Sequence, residues 1–166
     1  TVADAAAFYR AFEHVDVAVA DPPEGMSELD VRRGAGAIPA LETRELTLHD
    51  VLSRSPEDSN ATEWTTGFRR TFGTAAGMVD DEGPLTARIA RAFLDRLATD
   101  EDTLVRTRHG AAVATEVRER AAAARGDPDA VSALDADLLD RGINPGATAD
   151  LVTAAAFVAL QRGVSV

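Results

Sequence analysis

The stretch that most constrains this chain is its last one, Gly142 to Leu160. It reads Gly-Ile-Asn-Pro-Gly-Ala-Thr-Ala-Asp and then Leu-Val-Thr-Ala-Ala-Ala-Phe-Val-Ala-Leu. The first half is a helix start: Asn144 is placed to cap, and Pro145 suits the first helical position, where its missing N–H costs nothing. From Leu151 to Leu160 only Thr153 is polar. A helix apolar on nearly every side belongs inside a bundle, among other helices. Asp150 is the anomaly, because it shares a line with Ala154 and Phe157, four and seven residues on. A carboxylate among core residues is paired, metal-bound, neutralised or functional. The plainer alternative gives Asp150 only free N–H groups or an arginine near the helix start.

The rest of the chain reads as more helices. Phe8, Phe12, Val15 and Val19 recur at helical spacing over Val2 to Val19, and Pro22, Pro23 and Gly25 end that element. Pro22 to Arg44 is irregular, with Gly34, Gly36 and Pro39 as breakers; Arg32 and Arg33 beside Gly34 are read as a solvated pair, with an anion contact as the alternative. Thr47 and Asp50 form a capping box that opens a short helix through Ser53. A long helical stretch follows from Ala61 towards Met78, with glycines at 67, 73 and 77. Gly67 and Gly73 each cost about 1 kcal/mol against alanine, which points to close backbone approach by a neighbour or ligand. Trp64 is expected in a core or an interface. Leu85, Ile89, Phe93 and Leu97 mark the next helix. Two more run from Val113 to Ala124 and from Asp127 to Gly142. No segment has a convincing strand pattern. The predicted fold is all-α, a multi-helix bundle with a central buried C-terminal helix.

Length and composition bound the rest. A chain of 166 residues favours one domain. There is no cysteine, which removes disulfides, thiolate nucleophiles and cysteine-held metals. The net charge is −11, and every basic residue is arginine. That balance argues against a nucleic-acid partner, which needs a basic face. Together with the lack of lysine it suggests a salt-adapted, halophilic cytoplasm, and a GC-rich genome would produce the same bias. No run is long and apolar enough for a membrane span, and no secretory signal is visible. The chain opens directly on helical pattern at Thr1, so it is expected to be the C-terminal part of a longer protein.

Three motifs carry a resemblance. The first is Asn144-Pro-Gly-Ala-Thr-Ala-Asp150-Leu151, the second Glu63-Trp-Thr-Thr-Gly67-Phe68, and the third Asp102-Thr-Leu-Val-Arg-Thr-Arg108-His-Gly110. In this order the chain resembles the triphosphoribosyl-dephospho-CoA synthase family, in an archaeal-type form, from Glu63 to the end. It departs from the family pattern at Arg69, where proline is common, at Leu104, where asparagine is frequent, and at His109, where glycine stands.

The resemblance implies an enzyme that moves the triphosphoribosyl part of ATP to the 2′-hydroxyl of dephospho-CoA and releases adenine. It implies Mg2+ with ATP as cofactor, ATP and dephospho-CoA as small-molecule partners, and no membrane. A homodimer is compatible with it. Asp102, Asp150 and Glu63 are the expected catalytic acids, with Asp102 and Asp150 converging, one on magnesium and the other on hydroxyl activation. Nucleotide contacts are expected from Arg108, Thr103, Thr107, Gly110, Asn144, Gly146 and Thr148. Without the matched motifs, Asp102 would be read as an ion pair with Arg106. The alternative is a non-catalytic helical interaction domain, or a fragment of a nucleotide-binding protein.

Overall fold

A computed structural model of the chain describes residues 1–15, 22 and 25–166. These fall into two compact units, Thr1–Pro56 and Glu57–Val166, where the length alone suggests one domain. Among the described residues there is no strand, and the fold is all-α as predicted.

The first unit opens with α1, Val2–Ala11, capped by a reciprocal Thr1–Asp4 box. The expected run to Val19 stops early: a single tight turn at Phe12–His14 follows, and Val19 lies outside the described residues. The segment read as irregular is largely helical. It holds 3-10 turns at Ser27–Leu29 and Val31–Ala37 and then α2, Ile38–Thr43. Pro39 lies in the first turn of α2, where it starts the helix instead of breaking one. Arg32 is held by Asp30 at 2.9 Å. Gly34 takes φ 53°, and a Cβ there would come within 2.6 Å of the Glu13 side chain, so both conformation and space require glycine. The Thr47–Asp50 box caps α3, Leu48–Leu52, as predicted. Ala5, Tyr9, Leu29, Ala37, Leu41 and Leu46 form this unit's core. The Tyr9 hydroxyl donates to the Leu29 carbonyl, and burial raises its pKa to about 12.

The second unit holds α4 (Ser59–Thr66), α5 (Arg69–Asp80), α6 (Leu85–Thr99), α7 (Thr103–His109), α8 (Ala111–Ala124), α9 (Pro128–Asp140) and α10 (Gly146–Gln161). The single stretch expected from 61 to 78 is two helices. Gly67 (φ 71°) and Phe68 (φ 59°) both adopt left-handed backbone and turn the chain between α4 and α5. No atom lies within 4 Å of a Cβ built on Gly67, Gly73 or Gly77. No neighbouring element among the described residues approaches Gly67 or Gly73 as expected, and the left-handed backbone angle is what requires glycine at position 67. Trp64 is 59% exposed, so it is not a core residue.

Two apolar clusters build this unit. One gathers Leu97, Val105, Val117, Ala121, Leu134 and Leu138 from α6 to α9. The other packs Ala75 and Met78 of α5 against Leu151, Val152, Ala155 and Ala159 of α10. Phe93 of α6 touches both. α10 packs against α4, α5, α6 and α7, the central place its apolar sequence predicts.

The start of α10 differs in detail. Pro145 precedes the helix with φ −75° and ψ 60°, and the Gly146 N–H donates to the Asn144 carbonyl at 2.8 Å, an inverse γ-turn. The Asn144 side chain caps nothing. One side of α10 also stays open: Asp150, Thr153, Ala154 and Phe157 are exposed. Asp150 does share a line with Ala154 and Phe157, but that line faces a groove and not the core.

Candidate active site

Three acids were expected to act, and their surroundings differ sharply. Glu63 of α4 is 4% exposed. One of its carboxylate oxygens accepts from Arg70 Nε at 2.9 Å, and the other accepts from the backbone N–H and hydroxyl of Thr71 at 2.9 and 2.8 Å. Phe68 cannot cap α5 with its side chain, so Glu63 supplies the missing acceptor to the first turn of that helix. Burial pushes the Glu63 carboxyl up, but the hydrogen bonds from Arg70 and Thr71 outweigh it and hold it below the usual carboxylate value. Arg70 also donates to the Ser59 carbonyl at 2.8 Å.

Asp102 is 2% exposed and is committed on both sides. Its Oδ1 accepts from the backbone N–H groups of Leu104 and Val105 at 2.9 and 3.0 Å, capping α7. Its Oδ2 accepts from the Thr148 N–H at 2.7 Å, in the first turn of α10. One buried carboxylate thus serves two helix starts, where free N–H groups and the dipole favour negative charge. The ion pair with Arg106 is not formed, because Arg106 pairs with Glu101 at 2.7 Å.

Asp150 is the open one. It is exposed, and its one hydrogen-bond partner among the described residues is Asn60 of α4, whose amide donates at 3.1 Å. It lines a groove of about 430 Å³ with Phe68, Thr71, Phe72, Thr153, Ala154, Phe157 and Val158. That is the size of a small-molecule site, mostly apolar with a few polar groups.

The helices that carry the three motifs meet around these contacts. Ser59 N–H donates to the Thr103 hydroxyl at 3.4 Å, Asn60 reaches Asp150, and Asp102 reaches Thr148. Asp102 and Asp150 therefore address the first turns of one helix, Asp102 from its end and Asp150 from its side. Thr107 turns its hydroxyl back onto the Thr103 carbonyl at 2.9 Å. Arg108 and Gly110 are exposed at the far end of α7 and are not among the groove residues. Gly146 packs under Leu104, whose Cδ2 would lie 2.7 Å from a Cβ there. A magnesium ion shared by Asp102 and Asp150 does not fit this arrangement. Asp102 is buried and already holds three N–H groups.

Sequence reasoning missed Asn60, Arg70 and Phe72, and it placed Phe157 in the core. Asn60 and Arg70 act across breaks in helical periodicity, where no spacing rule applies. Phe72 and Phe157 carried the ordinary signature of core residues.

The second unit thus sets one exposed carboxylate of α10 beside an aromatic-lined groove. The family model of ATP:dephospho-CoA triphosphoribosyl transferase (CitG) matches residues 1–165, and the chain belongs to that family. The match reaches well before Glu63, where the legible motifs begin. A solved structure from Archaeoglobus fulgidus, assigned as a triphosphoribosyl-dephospho-CoA synthase, is 26% identical with a TM-score of 0.70. The similarity covers 84% of this chain and 62% of that one, so the chain spans less than two thirds of its relative's length. No curated protein gives a significant match. No helix among the described residues is long and apolar enough to cross a membrane.

Proposed function

We propose that this chain acts in transfer of the triphosphoribosyl group of ATP to the 2′-hydroxyl of dephospho-CoA, with Asp150 as the acid that faces the reacting centre. Family membership and the Archaeoglobus relative support the reaction class. The observation that carries the residue assignment is the contrast among the three acids. Glu63 and Asp102 are buried and bound by helix starts, and Asp150 alone opens onto a groove.

In the reaction the acceptor oxygen bonds to the ribose C1 as the C1–N bond to adenine breaks. The bonding pair leaves on the adenine nitrogen. The acceptor hydroxyl loses its proton to a base, and adenine gains one. Asp150, steered by the Asn60 amide, takes the hydroxyl proton. Asp102 and Glu63 act through the backbone: one fixes the start of α10, which carries Asp150, and the other fixes α5, which carries Phe72. The exposed Arg108 is available for phosphate oxygens. A cytoplasmic, salt-adapted setting fits the acidic, lysine-free composition.

Asp150→Asn tests the assignment, because it keeps shape and removes the base. Adenine release from ATP in the presence of dephospho-CoA should fall by roughly 10²–10⁴-fold, with the thermal midpoint unchanged. A variant within threefold of the parent rate removes Asp150 from the chemistry.

A second reading, a helical interaction domain, draws on the exposure of Trp64 and Phe157 at 59% and 63%. It predicts no adenine release from any variant, and heat on mixing with a protein partner but not with nucleotide.

A further inference from the structure

We infer that the groove between α5 and α10 is the seat of the purine ring, stacked on Phe72 and Phe157, with the attached ribose carbon beside Asp150. This rests on the transfer reaction proposed above and adds which part of the nucleotide this face holds. The groove is lined by three phenylalanines, Phe68, Phe72 and Phe157, together with Ala154 and Val158. Phe72 and Phe157 are 45% and 63% exposed and lie together in one groove, and a contiguous apolar surface of this kind can mark a ligand groove. Aromatic faces accept any base ring by stacking.

The polar groups of the groove are few and differ in state. The Thr71 hydroxyl is taken by Glu63. Thr153 has no hydrogen-bond partner among the described residues, so its hydroxyl is free for a ring nitrogen. Asp150 stands seven residues before Phe157, which on a helix is about 10 Å along the axis. Both line the groove side of α10, so a ring seated on Phe157 would lead its attached sugar carbon back along that side towards Asp150.

Two other occupants fit less well. Phosphate is disfavoured, because among the described residues the one charged group lining the groove is the Asp150 carboxylate. An organic cation would suit phenylalanine faces and a carboxylate, but the Arg162 guanidinium, 5.7 Å from the Phe72 centroid, repels a second positive charge and not a neutral purine.

The chain carries its own reporter. Trp64 is the only tryptophan, and its ring sits edge-on to Phe68 with centroids 5.2 Å apart. Titration with adenine, excited at the red edge of the tryptophan band, should give a saturable change in emission. Phe157→Ala and Phe72→Ala should each raise the apparent Kd by about five- to a hundredfold. Leu139→Ala, an exposed apolar control on α9, should leave it unchanged. The inference is overturned if adenine gives no saturable change, or if Phe157→Ala binds it as well as the parent. Competition by tripolyphosphate alone, or by tetramethylammonium in place of adenine, also overturns it. Should adenine bind as described while ATP and dephospho-CoA release none, the stacking site stands and the transfer reaction falls. If transfer proceeds and Phe157→Ala leaves kcat/KM untouched, the reaction stands and the stacking site falls.

Discussion

Asp102 shows how a single carboxylate can organise a site without touching substrate. Its partners lie two, three and forty-six positions away. Asp102→Ala removes a cap worth about 1 kcal/mol and leaves the Thr148 N–H buried and unpaired, a further cost of about 1–3 kcal/mol. The variant should lose roughly 2–4 kcal/mol in urea unfolding. Asn caps as well as Asp, so Asp102→Asn should keep the α7 start and lose mainly the Thr148 bond, falling between parent and alanine variant. Glu63 gives a pH-dependent counterpart. Its carboxyl is held below its ordinary value, so its contribution is full above the unfolded-state value and fades as pH falls through the folded one. The difference in thermal midpoint between the parent and Glu63→Gln should therefore be largest near neutral pH and shrink as the solution is acidified below about pH 4. An equal difference at all pH values would remove the ion pair and caps as its source. These roles explain what the residues alone could and could not reveal. Helical spacing correctly put Asp150 in line with Ala154 and Phe157, but periodicity states which residues share a line, not whether that line meets core or solvent. For Asp102 the decisive acceptor contact is with Thr148, and nothing local to either residue announces it.

At the scale of elements, local chemistry was legible wherever a cap or turn used neighbouring residues. The Thr47–Asp50 box and the helix of Leu85, Ile89, Phe93 and Leu97 follow from spacing alone. The break between α4 and α5 was not legible, because Phe68 at φ 59° is a conformation that bulky residues rarely adopt. It is stabilised from outside by Glu63 and Arg70, which reach across the turn. The two neighbouring glycines should consequently respond in opposite directions. Gly67→Ala forces an alanine into left-handed backbone and should cost roughly 1–2 kcal/mol. Gly73→Ala, in the interior of α5 with open space around it, should gain about 0.5–1 kcal/mol. Chemical denaturation of the two single variants checks both signs; a loss at Gly73 would mean that something approaches that face of α5 in solution.

For the whole molecule, the physical question is which part of the chain can sustain the site. Glu63, Asp102, Thr148, Asp150 and every groove residue belong to the unit from Glu57 to Val166. So do both of its apolar clusters, which share Phe93 and thereby couple α6–α9 to α5 and α10. The other unit has a core of its own around Tyr9 and Leu41. A fragment starting at Glu57, about 110 residues, is of ordinary domain length and contains each partner of the bonds that fix Asp102 and Glu63. Expressed alone, it should give a helical circular-dichroism spectrum and one cooperative unfolding transition, and Asp102→Ala should lower that transition as it does in the full chain. The adenine-induced change in Trp64 emission should survive in this fragment, since the reporter, the rings and Asp150 all lie within it. A fragment that stays helical yet melts without cooperativity would show that the bundle needs residues before Glu57 to set its packing, and a folded fragment blind to adenine would place essential base contacts among them.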